Sequence, residues 1–502
     1  MTVSTASTRP AVTRWRSAAL VRGVSIACTL IAGLTLSLQF VWAAVPAVSV
    51  AWPITHPEGA TIAAILRVRD GEPLYQNFLQ FPHLITPYPP LQPMTVGTVS
   101  WLLGLSVLET IGLARSLTVA ASLSATLLIW LVARQLGARP LAALAGASLF
   151  LPLPFLDEWG YASRPDVPAV ALSLLALLLL VLRPRQVWLA AGVAVLALFA
   201  KQTAVALPVA ATLWLLASRR WRDAAIFVGT WVGLTGVTVL LLNGLTDGAY
   251  VLNTIQAHLN TPKNGFDLAL RDFVPYLWDD WLPIGLTAIA LALPATRQRA
   301  SLPSLYFAAA AGLALYSLRN TGGDVNYLIE PAAAACIPAA LTIDWLWRKA
   351  DDGRVWMAAS AVLAVATVVW AAGLWNFWRL EGGVDPIGRM PLAEIAAAET
   401  VLSEEPLAVL LAGHSLVVSD TFHLSMLTTS EFFDPLDLER RIKRNEFDLI
   451  VMRSDVRAAR WWKRQLLLPD TVRLAIKDTY VPAGRVGIYW LYKPEERRGT
   501  GR

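Results

Sequence analysis

Two short stretches, "THPE" at 55–58 and "SRPD" at 163–166, repeat one pattern: a hydroxyl residue, a variable residue, proline, then a carboxylate, each ahead of an apolar run. A helix start favours the ionised carboxylate, the form that takes up a proton, so Glu58 and Asp166 are candidate acid–base groups. The local alternative is structural. Thr55 with Glu58 fits a capping box and Ser163 with Asp166 its aspartate variant, proline being tolerated in the first helical turn. Cations that could hold a phosphate follow in the same regions: Arg67, Arg69, Arg164, Lys201 and Arg319. Each could equally snorkel to lipid headgroups.

Glu330, in "NYLIEPAAAACIPAAL", is a carboxylate among apolar residues, a placement that calls for a cavity or a partner. The stretch "GEPLYQNFLQFPHLITPYPPLQPM" is rich in proline and aromatic residues. It reads either as a rigid membrane-surface loop or as a platform for a sugar, with Tyr75 and Tyr88 as amphipathic contacts.

These residues must be positioned by a membrane protein. Of 502 residues, 56% are hydrophobic and 16% charged, against about 25% charged in soluble domains. The run Val24–Val45 can span a bilayer and follows Arg9, Arg14, Arg16 and Arg22, so residues 1–23 are expected in the cytoplasm. A cleaved signal peptide is the alternative, but the run is longer than the usual 7–15 residues or so of such a core. Basic clusters at 134–139, 183–185, 219–222, 297–299 and 348–354 separate later apolar runs and mark cytoplasmic turns.

Keeping them all inside requires residues 187–217 to be two short helices around Lys201, and Met94–Leu108 to be re-entrant or interfacial. A mainly α bundle of about eleven spans over 24–378 is the result, with a first extracytoplasmic loop at 46–110 and a last helix near Val355–Trp378. Residues 385–494 regain charge and read as a small extracytoplasmic α/β domain without a catalytic motif. "FDLIVM" is an expected strand and "DPLDLERRIKRN" an expected helix; "VRLAIKDTY" and "VGIYWLY" are expected as the last strands, joined through "VPAGR", before a disordered tail at 495–502. Cys28 and Cys336 fall in apolar helices, the five histidines are scattered, and nothing has zinc or phosphate-loop spacing. Nucleic acid and soluble nucleotides are not expected partners.

In order of features, the chain resembles the polyprenyl-phosphate-sugar-dependent glycosyltransferases of the C-type membrane fold, similar to protein O-mannosyltransferases and aminoarabinose transferases. The residues concerned are Glu58, Gly71–Tyr75 in "GEPLY", Pro89-Pro90-Leu91, Arg115 in "LARSL", Arg164–Asp166, Lys201 in "FAKQTAVALP", and a weaker Asn326-Tyr327 element. The resemblance covers roughly the first 210 residues. It departs at Pro57, which stands where the family often has the first acid of an acidic pair, and at Tyr88 or Pro89, where some members have lysine.

The resemblance implies an enzyme of the cytoplasmic (inner) membrane that moves a sugar from a polyprenyl phosphate to an acceptor hydroxyl on a glycan, lipid or protein at the outer face. Such a reaction needs a carboxylate to take the acceptor proton and cations to stabilise the departing phosphate. Glu58 is then the expected base, with Asp166 orienting the acceptor. Arg164, Lys201 and Arg319 would meet the phosphate, and Tyr75, Tyr88, Asn326, Tyr327 and Glu330 would line the substrate site. No cofactor is required, though a divalent ion between Glu58 and Asp166 is compatible with this chemistry. The competing classes are a transporter or flippase of a lipid-linked sugar, which would be expected to show repeated halves, and a membrane-anchored sensor, for which eleven spans are excessive.

Overall fold

The computed structural model describes residues 9–380, 389–457 and 467–495. It is a multi-pass bundle of helices with a small sheet at the C-terminal end of the chain. Helix α1 (Arg9–Ser49) is followed by α2 (Glu58–Arg69), α3 (Leu91–Leu103), α4 (Val107–Gln135), α5 (Pro140–Ala147), α6 (Asp166–Leu182), α7 (Val187–Ala200), α8 (Ala206–Ala217) and α9 (Trp221–Leu245). After them come α10 (Phe266–Asp279), α11 (Trp281–Ala292), α12 (Pro294–Ser317), α13 (Ile329–Lys349) and α14 (Arg354–Leu380). Among the described residues five stretches are long and apolar enough to cross a bilayer, and four shorter apolar helices, α6, α7, α8 and α11, accompany them.

The centre of the bundle is α13. Its run of alanines, broken only by Cys336 and small or branched residues, is buried almost throughout. Small side chains let backbones approach closely: a Cβ placed on Gly146 of α5 would lie 2.4 Å from that of Ala340. Helices α4, α5, α11 and α12 pack around this core, and α1 pairs with α14 outside it. At the opposite extreme α9, facing outward, is hardly buried, as suits a helix bathed in lipid.

Several basic residues gather at one end. Arg139 and Arg348 share Asp344 at 2.8 and 2.7 Å, Arg348 also reaches the carbonyl of Gly137, and Arg22 pairs with Asp351. The break expected around Lys201 is present, since α7 ends at Ala200 and α8 begins at Ala206. Helix α3 has 13 residues, too few to span, and ends on exposed Trp101, Leu102 and Leu103.

From 389 onward, strands β1 (Val401–Ser403), β2 (Leu449–Met452), β3 (Tyr480–Val486) and β4 (Tyr489–Pro494) form one sheet in the order β1-β2-β4-β3, with β1 parallel to β2 and the other pairs antiparallel. Helices α15 (Pro406–Leu411), α16 (Thr421–Thr429), α17 (Leu436–Lys443) and α18 (Asp470–Thr479) accompany it. "FDLIVM" supplies β2 and "DPLDLERRIKRN" supplies α17. "VRLAIKDTY" is not the expected strand. Its Val472, Ala475 and Ile476 repeat at helical spacing and are buried, so it forms α18, while "VPAGR" lies within β3 instead of joining two strands. Most of the expected tail, residues 496–502, lies outside the described residues, as does most of the joint at 381–388.

This C-terminal region sits directly on the loop after α1. The backbone N–H of His83 donates to the Val417 carbonyl at 2.8 Å, and Leu407 packs among Ile62, Ile65 and Leu66 of α2.

Candidate functional site

Helices α2 and α6 do begin at Glu58 and Asp166, but neither motif forms a capping box. The residues before them, Pro57 and Pro165, offer no side-chain cap, and the hydroxyls of Thr55 and Ser163 are buried without a hydrogen-bond partner among the described residues. Each carboxylate is used elsewhere.

Glu58 is fully buried and accepts two parallel bonds from Arg115, Nε to Oε1 and Nη2 to Oε2, both 2.9 Å. The backbone N–H groups of Ile54 and Ser163 complete its shell at 2.7 and 2.6 Å. Arg115, equally buried, gives its remaining protons to the carbonyls of Ala47, Val50 and Trp52. Glu58 therefore fastens the end of α1, the following loop, α4 and the segment before α6 to one another. It does not line the cavity described next, and each of its oxygens already accepts two donors. This geometry argues against Glu58 as the base that takes an acceptor proton.

Asp166 is the hub of a second cluster. One oxygen accepts from Lys201 and from Asn326 Nδ2 at 2.6 Å; the other lies 3.5 Å from Arg164 Nε. The Arg164 guanidinium sits over the rings of Tyr88 and Trp159, 4.8 and 4.9 Å from their centroids, and donates to the Tyr88 hydroxyl. Lys201, in extended backbone at the break between α7 and α8, places its ammonium 4.6 Å from the Tyr327 ring centroid. Two buried cations thus share one carboxylate, and a guanidinium beside an ammonium is a pairing that can meet an anion.

Arg164, Lys201, Tyr88, Asn326 and Tyr327 line a cavity rich in polar side chains. Lys201, Asn326 and Tyr327 also border a smaller cavity with Asp166 and Glu330, whose carboxylate accepts from Tyr306 at 2.9 Å. Beyond it, sharing Ala314, an apolar cavity runs between α10, α11, α12 and α13, lined by Val274, Phe307 and Leu328 among others.

Other expected site residues lie apart. Arg67 donates to the Leu74 carbonyl at 3.2 Å and to Gln76 at 3.0 Å, and Arg69 pairs with Asp70 at 2.6 Å. Arg319 is spent on the Asn264 carbonyl and the Phe266 ring, so it does not reach the phosphate position proposed below for Arg164 and Lys201. Tyr75 supports the cavity from behind by donating to the Tyr88 carbonyl at 2.9 Å. Among the described residues no group of three or more His, Cys, Asp or Glu is placed to hold a metal ion. Glu58 and Asp166, the pair considered for one, are committed to the protein's own cations, Glu58 to Arg115 and Asp166 to Lys201 and Arg164.

The cavity also gathers residues that the sequence kept far apart. His56, His258 and His423 line it with Gln202, Asp324 and Asp420. Gln202 Nε2 lies 2.8 Å from His258 Nε2, and the His258 and His423 rings are 5.3 Å apart. Asp420 caps α16, accepting from the His423 N–H at 2.9 Å, with its other oxygen 3.5 Å from His423 Nδ1. Burial drives His56 down to about 4 and His258 to about 3, so both are neutral at pH 7. Burial alone would raise Asp420, but the hydrogen bonds and charge of His423 outweigh it and hold the carboxyl below its ordinary value. No spacing announces a set drawn from positions 56, 258 and 423. The one available signal was His56 itself, inside "THPE".

Residues 98–243 match the family described as dolichyl-phosphate-mannose-protein mannosyltransferase. No curated protein matches the chain by sequence. Its fold is similar to that of ArnT from Cupriavidus metallidurans in the apo state (TM-score 0.58, 14% identity, 91% of this chain and 97% of ArnT covered). The same enzyme bound to undecaprenyl phosphate gives a TM-score of 0.56 at 15% identity, with 92% and 98% covered. The archaeal oligosaccharyltransferase AglB from Archaeoglobus fulgidus, in complex with an inhibitory peptide and a dolichol-phosphate, gives 0.54 at 12% identity, with 94% of this chain and 74% of AglB covered. At these identities the likeness is one of fold.

Proposed function

From a multi-pass membrane chain with the fold of ArnT and a segment matching the mannosyltransferase family, we propose an integral membrane glycosyltransferase that moves a sugar from a polyprenyl phosphate to an acceptor hydroxyl. The observation that carries this reading is the Arg164–Asp166–Lys201 cluster, two buried cations fixed by one carboxylate where a polar cavity meets an apolar one. A lipid-linked donor has those three parts in that order: a sugar for the polar cavity, a phosphate for the cations, and a hydrocarbon for the space beyond Ala314.

In the reaction, the acceptor oxygen attacks the anomeric carbon while the bond from that carbon to the phosphate oxygen breaks. Charge develops on the phosphate, where Arg164 and Lys201 stabilise it without rearrangement because Asp166, Tyr88 and Tyr327 already fix them. The basic end, with Arg22, Arg139 and Arg348, then faces the cytoplasm, about eleven spans cross the membrane, and the cavity and the C-terminal α/β domain lie outside.

The test is a comparison of lipid-linked sugars and envelope glycans in cells with and without the gene. Loss of one glycan component with accumulation of its polyprenyl-phosphate donor is expected. Restoration by the wild-type chain but not by Lys201→Ala would place the loss at this site. An unchanged glycan profile would sink the reading.

A further inference from the structure

The C-terminal region, which carries no recognisable catalytic motif, forms one wall of the cavity through Asp420, Phe422, His423 and Met426. Arg164 and Lys201, each tied to Asp166, line the same cavity. An acceptor hydroxyl seated in the cavity beside α16 lies against this wall. Glu58, with two donors on each oxygen, cannot receive its proton there, and Asp166 is engaged by three donors or cations.

His423 can. Its Nδ1 faces the Asp420 carboxylate, which favours the tautomer with the proton on Nδ1, and its Nε2 is buried with no hydrogen-bond partner among the described residues. Asp420 is itself held in place as the cap of α16. We propose that His423 is the general base of the transfer described above, with Asp420 as the residue that positions it. The proposal rests on that reading of the cavity. His423 Nε2 accepts the acceptor proton as the new bond from oxygen to the anomeric carbon forms. The electron pair of the broken carbon–oxygen bond leaves on the polyprenyl phosphate, and the imidazolium then returns its proton to water. The 3.5 Å between Asp420 and Nδ1 is a loose pairing of the kind that shortens when the ring becomes charged.

The charged and titratable groups facing His423 are Asp420 at the start of its own helix, His258 beside it, His56 with Arg453 behind it, Asp324 from the loop before α13, and Arg164 and Lys201 lining the same cavity. Asp420 is the nearest anion. Removing it leaves the Nδ1 proton without its acceptor, so the ring loses the contact that fixes its tautomer and orientation.

The experiment uses membranes from cells lacking the gene, complemented with full-length variants and containing their own lipid-linked donor, in which formation of the missing glycan component is followed. Purified chains are tested in parallel for binding of undecaprenyl phosphate. His423→Asn is expected to slow transfer by about 10²–10⁴-fold, the usual range for a lost general base, with undecaprenyl phosphate binding unchanged. Asp420→Asn is expected to slow it less, with undecaprenyl phosphate binding unchanged, and Asp420→Glu to recover part of the loss. Transfer by His423→Asn within threefold of wild type, or by Asp420→Asn equal to wild type, would overturn the assignment while leaving the glycosyltransferase reading intact. Should no glycan component be missing from the deletion strain, the underlying reading itself fails.

Discussion

Arg115 holds Glu58 through two parallel N–H···O bonds of 2.9 Å, with both side chains wholly out of solvent and fifty-seven positions apart in the chain. Each side chain neutralises the other. A carboxylate that neutralises a buried guanidinium is worth most to the fold, because removing one partner leaves the other charge unpaired at a cost of about 3–5 kcal/mol.

Glu58→Gln should accordingly lower thermal stability in detergent and the amount of folded chain in the membrane, while transfer per folded molecule stays within about threefold of wild type. Replacing both partners, as in Glu58→Leu with Arg115→Leu, should recover part of the lost stability, since an apolar pair leaves no orphaned charge. A fully stable but inactive Glu58→Gln chain would return the acid to a catalytic part.

Arg164 combines charge with a flat surface over Tyr88 and Trp159. Charge-assisted hydrogen bonds contribute about 1.5–3 kcal/mol, so Arg164→Ala should weaken undecaprenyl phosphate binding by roughly 10- to 150-fold. Arg164→Lys should recover only part of this, because an ammonium cannot reproduce the planar fork. Binding to purified protein in lipid nanodiscs measures both, and equal affinity for all three chains would remove Arg164 from the phosphate site.

Acid should destabilise the protein through its buried histidines. His258, held down to about 3, binds no proton in the folded chain at pH 5, whereas the unfolded chain, with an ordinary value near 6.5, does. Its stabilising effect is complete above pH 6.5 and is lost progressively as pH falls towards 3. Between pH 7 and pH 5 one such group accounts for about 2 kcal/mol. Melting temperatures at the two pH values should therefore differ less in His258→Gln than in wild type. His56, at about 4, should act in the same sense.

The sequence disclosed the fold better than it disclosed the site. Apolar runs and basic clusters are local, so the long outer spans, the break at Lys201 and the short α3 could be read directly. Arg164, Asp166 and Lys201 were legible because helix starts and breaks in apolar surroundings single out their charges. The role of Glu58 was not. Its partner, Arg115, is one arginine on a neighbouring helix, and whether a carboxylate meets a guanidinium or open space is settled by packing, not by its motif. The histidines were lost for the same reason, being drawn from the first loop, the segment after α9 and the C-terminal region. "VRLAIKDTY" misled because its β-branched and aromatic residues suggest a strand, whereas burial follows Val472, Ala475 and Ile476.

The wall formed by the C-terminal region is seated by the His83–Val417 and Ser419–Ile85 hydrogen bonds and by a close contact at Gly59. A Cβ placed on Gly59 would lie 2.8 Å from Pro406 Cγ and 3.2 Å from Glu405 Oε1, so α2 and the start of α15 meet with no room for a side chain. Gly59→Val should crowd Pro406 and Glu405, displace the start of α15 and loosen the seating of the C-terminal region beside the cavity. Arg164 and Lys201, anchored to Asp166 within the bundle, need not move. Transfer should fall by about tenfold or more, while undecaprenyl phosphate binding stays close to wild type, the magnitude following from the sensitivity of proton transfer to small misplacements. Gly192→Val on α7, where an added Cβ meets nothing within 4 Å, serves as the control and should behave as wild type in both assays. Equal transfer by the two variants would show that this contact does not set the position of the wall.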